Sequence, residues 1–221
     1  MHRALIVGAG ALAFAALTVS AQAADILPTK APPMAVPPPL YSWTGFYIGI
    51  NGGGGWGASD WDSAGGFNLS GGLVGGTVGY NYQIGRAVLG IEGDADWTDI
   101  RGTGTSPACP LGCTTGNSWL STVRGRLGYA ADRFMPYVTG GAAFGNIDAS
   151  TPGFPGASAT NAGWTVGGGL EFALWRNWSI KAEYLYVDLG RFDCGLSCGP
   201  VAPDHVSLRT NIVRGGINVR F

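Results

Sequence analysis

Charge is scarce in this chain of 221 residues. Only 12% of it is Asp, Glu, Lys or Arg, with 13 basic against 14 acidic residues. That balance leaves no basic footprint for nucleic acid. Histidine is almost missing, at 2 residues, and cysteine stops at 4. Such poverty leaves little for a His-based metal or acid–base site. Long apolar runs are also lacking. After Ala23 no stretch reaches the ~18 apolar residues that a membrane-crossing helix needs, so such a helix is excluded there.

Glycine and the aromatics fill the space: 39 Gly, 8 Trp, 8 Tyr and 9 Phe. Low charge with many rings opposes a disordered chain and suits strands with an apolar outer face. The start reads differently. His2 and Arg3 precede an apolar stretch from Ala4 to about Val19, and Ala21-Gln22-Ala23 supplies a small-x-small pattern. This predicts an export signal over 1–23, cut between Ala23 and Ala24. Without Arg3 the mature chain has 12 basic and 14 acidic residues, a net charge near −2. Residues 24–42, with Pro32-Pro33 and Pro37-Pro38-Pro39, cannot sustain a sheet ladder and are expected to form a periplasmic linker.

From Trp43 to the end the apolar pattern has period two. These 179 residues divide into eight segments of about 22, enough for eight strands of ~9–11 membrane-crossing residues plus connections. Strands are expected at 44–56, 71–83, 87–98, 118–130, 135–147, 162–174, 178–189 and 206–221. Tight turns fall at 84–86, 131–134 and 175–177. Longer connections rich in Gly, Ser, Pro, Asp and Thr fall at 57–70, 99–117, 148–161 and 190–205. Alternating short and long connections are the signature of an outer-membrane barrel. The expected fold is all-β: an eight-stranded antiparallel transmembrane β-barrel over 43–221, with short periplasmic turns and four long outer loops.

The side of each charge decides which face meets lipid. Glu92, Asp94, Asp96, Arg124, Arg126, Glu171, Lys181, Glu183, Arg214 and Arg220 share the polar side of their strands. In a membrane barrel that side is the lumen. Both signs are present, so a pairing network is expected, on neighbouring third and fourth strands and within the seventh. Eight strands enclose a lumen that side chains can fill. Two aromatic belts are expected. Tyr41, Trp43, Phe46, Tyr82, Tyr129, Phe134, Tyr137, Trp175, Trp178 and Phe221 would make the periplasmic belt. Trp56, Trp97, Trp119, Phe144 and Trp164 would make the outer one. Ile212 and Asn211 break the alternation, which a bulge or a strand end above the bilayer would explain.

Cysteines occur as Cys109-x3-Cys113 and Cys194-x3-Cys198, both in expected outer loops. An even number in an exported chain implies disulfides, either two local bridges or cross-links between loops. A four-thiolate zinc site is the sharper and weaker alternative. His205 and Ser207 are spaced as in barrel lipid deacylases, but a triad also needs an acid, with Asp188 a candidate. Gly52-Gly53-Gly54-Gly55 lacks the Lys-Ser/Thr of a phosphate loop.

The whole of 43–221 resembles one family. Trp43-Thr44-Gly45-Phe46-Tyr47-Ile48-Gly49, Val88-Leu89-Gly90-Ile91-Glu92-Gly93-Asp94, Pro136-Tyr137-Val138-Thr139-Gly140-Gly141, Lys181-Ala182-Glu183-Tyr184-Leu185-Tyr186 and the closing Arg214-Gly215-Gly216-Ile217-Asn218-Val219-Arg220-Phe221 are similar to the alphaproteobacterial outer-membrane immunogenic proteins. These are small barrels of the OmpA type. The resemblance implies a surface-exposed structural protein in the cell outer membrane, with no catalytic residues and no cofactor. It also implies that Phe221 serves as a signal to the barrel assembly machinery. Expected partners are outer-membrane lipid and lipopolysaccharide, besides that machinery during biogenesis. A small diffusion pore, a loop-mediated adhesin and a lipid-modifying enzyme are the competing readings.

Overall fold

Alternation of side chains along each segment builds eight strands: β1 (Gly45–Trp61), β2 (Gly65–Ile84), β3 (Ala87–Ser106), β4 (Cys109–Tyr129), β5 (Phe134–Ser150), β6 (Ala157–Ala173), β7 (Trp178–Asp193) and β8 (His205–Arg220). Each pairs antiparallel with the next, and β8 pairs with β1, closing the barrel. The computed structural model describes residues 41–62, 65–106, 109–193 and 205–221, without the side chains of Ser106, Cys109, Pro110 and Phe192. The expected export signal, its cleavage point at Ala23 and Ala24, and the linker up to residue 40 lie outside the described residues.

Strand count and order match the sequence expectation, and the short turns lie where expected. Gly85, at φ +60°, sits in the two-residue β2–β3 turn, a backbone region that glycine enters freely. The strands themselves run farther than the alternation indicated. They are 16 to 21 residues long, well beyond the ~9–11 that cross a bilayer. The extra length consumes most of the segments expected to be long connections. Trp61 pairs with Gly65, and Ala149 with Ala157. The outer segments at 57–70, 99–117 and 148–161 are therefore mostly continued hairpin ladder, while most of 190–205 lies outside the described residues.

Strand β3 explains why alternation faded before pairing did. Up to Trp97 it turns Leu89, Ile91 and Trp97 outward and Glu92, Asp94 and Asp96 inward. Beyond Trp97 the sense inverts: Asp99 and Arg101 are exposed outside, while Ile100 is buried inside. Lipid demands an apolar exterior. Above the apolar band, headgroups and then water surround the barrel, and ordinary soluble burial returns. The interior there becomes a core of Leu69, Leu73, Ile100, Leu120, Ile147, Leu185, Val187, Leu208 and Ile212, among others. Ile212 thus points inward because it belongs to this core. The β8 ladder runs through it without a bulge. Asn211 points outward beside Trp56 and accepts a hydrogen bond from the Tyr184 hydroxyl at 2.7 Å.

Three register slips lie at the same level, and a fourth, between Gly104 and Ser106, lies farther out on β3. Shifts occur between Trp97 and Ile100, between Gly116 and Leu120, and between Asp188 and Arg191. The second flips the parity of β4, so that Cys113, Thr115 and Asn117 are buried on one side of it and Leu120, Thr122 and Arg124 on the other. A bulge frees backbone groups, and two asparagines take them up. Asn117 Nδ2 donates to the Trp119 and Asn146 carbonyls at 3.0 and 2.6 Å, while Asn146 Oδ1 accepts from the Ser118 and Trp119 amides.

This inversion places the outer membrane boundary at the Trp56–Trp97–Trp164 level. A cysteine replacing Thr103 should react with a membrane-impermeant maleimide on whole cells, and one replacing Ile91 should not. Equal labelling of both would move the boundary.

Candidate functional site: the filled lumen

Ten charged side chains project into the membrane-level lumen. Arg124, Arg126, Lys181, Arg214 and Arg220 give five positive charges; Glu92, Asp94, Asp96, Glu171 and Glu183 give five negative ones. All ten are at most 6% exposed. The formal sum is zero, which suits a place where an uncompensated ion is costly.

Arg124 lies at the centre. Its Nη2 contacts Glu92 at 2.5 Å and Asp94 at 2.7 Å, and its Nη1 contacts Glu183 at 3.0 Å. Arg214 reaches Asp94 and Asp96 at 2.8 Å and Glu183 at 2.7 Å. Lys181 Nζ bonds Glu92 at 3.1 Å. Toward the periplasmic end Arg126 pairs with Glu171, and Arg220 stands 3.7 Å from Glu171. Glu92 and Arg124 face one another on paired strands, as expected. Most other bonds cross the lumen. The direct Lys181 bond runs to Glu92 on β3 and not to Glu183 along its own strand.

Neutral groups add to the shell. Thr77 and Thr122 donate to Asp94 at 2.9 and 2.7 Å, and Ser179 and Asn218 donate to Glu171 at 2.6 and 3.2 Å. Two tyrosines were not expected here. Tyr47 donates to Glu92 at 2.8 Å and Tyr137 to Glu183 at 3.1 Å. The Arg126 guanidinium lies 3.7 Å from the Tyr137 ring centroid. Tyr137 is thus a lumen residue rather than a belt residue. Parity could have found Tyr47, whose neighbours Phe46 and Ile48 are exposed to lipid.

Below the charges the chain entry fills the periplasmic mouth. Trp43, expected in the belt, is fully buried against Val88, Ala130, Met135 and Ala173, with Tyr41 packed on it. Its backbone amide donates to Gln83 Oε1 at 2.7 Å and its indole to the Asp132 carbonyl at 3.0 Å. Arg220 sits over the Trp43 ring at 4.8 Å and donates to the Tyr41 hydroxyl at 2.8 Å. Burial pushes the Tyr41 hydroxyl above its ordinary range, with the nearby Arg220 opposing. The remaining belt expectations hold for Phe46, Tyr82, Tyr129, Phe134, Trp175, Trp178 and Phe221 at one end and Trp56, Trp97, Phe144 and Trp164 at the other, all exposed. Trp119 is half-buried.

The remaining sequence candidates lie toward the outer end. His205 Nδ1 stands 3.1 Å from Asp62 Oδ2, so the carboxylate beside it is Asp62. Asp188 instead stands 3.5 Å from Arg209. Cys113 is buried in the outer core and disulfide-bonded, and it accepts a weak bond from Thr151. Cys194 and Cys198 lie outside the described residues, as does the Cys109 side chain.

The model of the outer membrane protein β-barrel domain matches residues 9–221. A 31 kDa outer-membrane immunogenic protein of Brucella melitensis biotype 1 is 38% identical over 232 residues, covering 94% of this chain and 96% of that protein. A 22 kDa outer membrane protein of Rhizobium leguminosarum bv. viciae is 36% identical over 183 residues, covering 83% and 80%. Among solved structures, Neisserial surface protein A matches with a TM-score of 0.46 and 15% identity, over 80% of this chain and 98% of its own.

Proposed function

The chain belongs to the outer membrane protein β-barrel domain family, and from that premise we propose that it is a structural, surface-exposed barrel whose lumen stays closed. The observation that carries this is the stacking of three layers. A charge-balanced ionic layer lies between the Trp43 layer at the periplasmic mouth and the apolar core above the bilayer. An ion entering would have to displace bonded charges on one side and cross a dry apolar layer on the other, each of which is costly.

Presentation of surface is then the function, carried by the outer hairpins. Their apolar interior makes them a continuation of the barrel, stiff enough to hold a fixed outer surface. That suits a family whose relatives are named for their immunogenicity. Lipid contacts the exposed apolar band, with lipopolysaccharide as the expected neighbour outside. The reading also assigns export to residues 1–23 with cleavage between Ala23 and Ala24, an assembly signal to Phe221, and disulfide stiffening of the outer end to Cys109, Cys113, Cys194 and Cys198. It assigns no catalysis, cofactor or metal.

Planar-bilayer recording of the refolded mature barrel tests the closed lumen, with folding checked by heat-dependent gel mobility. The membrane should stay silent. Stable, reproducible openings that change when Arg124 or Glu92 is neutralised would overturn the proposal and make the protein a small pore.

A further inference from the structure

Outside the barrel wall, just above the outer aromatic level, lies a charged cavity that the lumen network does not use. It measures about 190 Å³ and is lined by Asp60, Asp62, Arg191, His205, Ser207 and Arg209. Strands β1, β7 and β8 build it. Ser207 of β8 pairs with Asp60 of β1 and with Arg191 of β7. The register slip after Asp188 lets Arg191 point outward.

The charges here are held differently from those in the lumen. Arg209 stands 3.7 Å from Asp60 and 3.5 Å from Asp188, against 2.5–3.0 Å for Arg124 and its three carboxylates. Charge-assisted hydrogen bonds run at ~2.7–2.9 Å, so the Arg209 fork is bracketed by carboxylates without being filled by them. Arg191 makes no ion pair among the described residues. Asp62, exposed, and His205, half-buried, form the rim, and Ser207 is buried at the cavity wall. Two guanidiniums and two carboxylates thus line one small cavity, formally balanced before His205 is counted.

Height selects the ligand. Arg209 is one outward step along β8 from Asn211, which pairs with Trp56 of the outer belt. One such step is two residues, ~7 Å along a strand; Ser207 and Asp60 lie two steps out and His205 three, so the cavity runs outward from the headgroup level that the belt marks. Below it Trp56, Val213 and Tyr184 offer an exposed apolar wall. We propose that this cavity seats the headgroup of an outer-leaflet lipid carrying both a phosphate and an amine. Arg191 and Arg209 hold the phosphate oxygens through their planar forks. Asp60 and Asp62 accept from the ammonium, and the acyl chains lie on the apolar wall. A purely anionic headgroup would leave the two carboxylates opposing it. The inference rests on the membrane placement of the barrel and stands whether or not the lumen conducts.

Native mass spectrometry of the refolded mature barrel in nonionic detergent tests it. The probes are phosphatidylethanolamine and phosphatidylglycerol with the same acyl chains. Phosphatidylethanolamine adducts should dominate, and Arg191→Ala with Arg209→Ala should weaken them about tenfold, as loss of charged hydrogen bonds predicts. Asp60→Asn with Asp62→Asn should abolish the preference between the two lipids. These exposed sites lie outside the lumen network, so heat-dependent mobility should report an intact barrel in both variants. Equal retention of the two lipids by the parent protein, or unchanged adducts in the arginine variant, would overturn the proposal. Soluble phosphoethanolamine binding as tightly as the lipid would overturn the assignment to a membrane ligand.

Discussion

Arg124→Met should cost the barrel about 3–5 kcal/mol, the range for breaking a buried ion pair from one side. The reason lies in what stays behind. Glu92, Asp94 and Glu183 each lose a guanidinium at 3.0 Å or less, and five buried acids then face four bases. Arg214 and Lys181 still reach these acids, but their geometry is already committed. Urea unfolding in lipid vesicles should show a lower midpoint with an unchanged slope, meaning lost stability rather than a changed unfolded state. Adding Glu183→Gln restores the formal balance and should recover part of the loss. Arg124→Lys should fall between, because a point charge cannot serve three carboxylates as a planar fork does. A midpoint for Arg124→Met equal to that of the parent would mean that the network is not a structural unit. Failure of Arg124→Met to refold while the compensated double variant refolds would support the same account.

The charge network was legible because period two in a membrane barrel assigns every strand residue a side. Glu92, Arg124 and Glu183 needed only their parity. Their partners were less legible, since sequence neighbours and paired strands are visible in the pattern but contacts across a lumen are not. Arg214 on β8 meeting Asp94 on β3 depends on strand stagger around the whole ring. In sequence the outer hairpins look like irregular connections because the apolar alternation ends at the lipid boundary. Hydrogen bonding does not end there, so β3 continues through Asp99 and Arg101 with polar residues now on its outer face and apolar ones on its inner face. Trp43 and Tyr137 look like belt residues in sequence because an aromatic near a strand end suits either a headgroup or a plugged mouth. Only the neighbours decide, and for Trp43 these are Val88 and Met135 from distant strands.

Gly75 and Gly76 are adjacent on β2 and should respond to alanine in opposite ways. They pair with successive residues of β3, Asp96 and Ala95, so their ladder positions are nearly equivalent. Their faces are not. A methyl at Gly75 would enter the lumen 2.0 Å from Asp96 Oδ1, 2.3 Å from the Ala95 carbonyl and 2.6 Å from the Asp96 Cα. The carboxylate could turn, but the backbone atoms could not move without shifting the β2–β3 ladder, and turning Asp96 would strain its bond to Arg214. A methyl at Gly76 would face lipid with nothing nearer than the Gly49 carbonyl at 3.8 Å. Gly75→Ala should therefore cost about 1–3 kcal/mol as overpacking. Gly76→Ala should be neutral or stabilise by about 0.4–1 kcal/mol, because alanine has less unfolded-chain freedom to lose. Urea midpoints of the two variants, measured side by side in the same vesicles, check the contrast. Equal midpoints would mean that the barrel interior yields at Gly75, and the filled lumen would lose the tight packing that the closed-barrel reading requires of it.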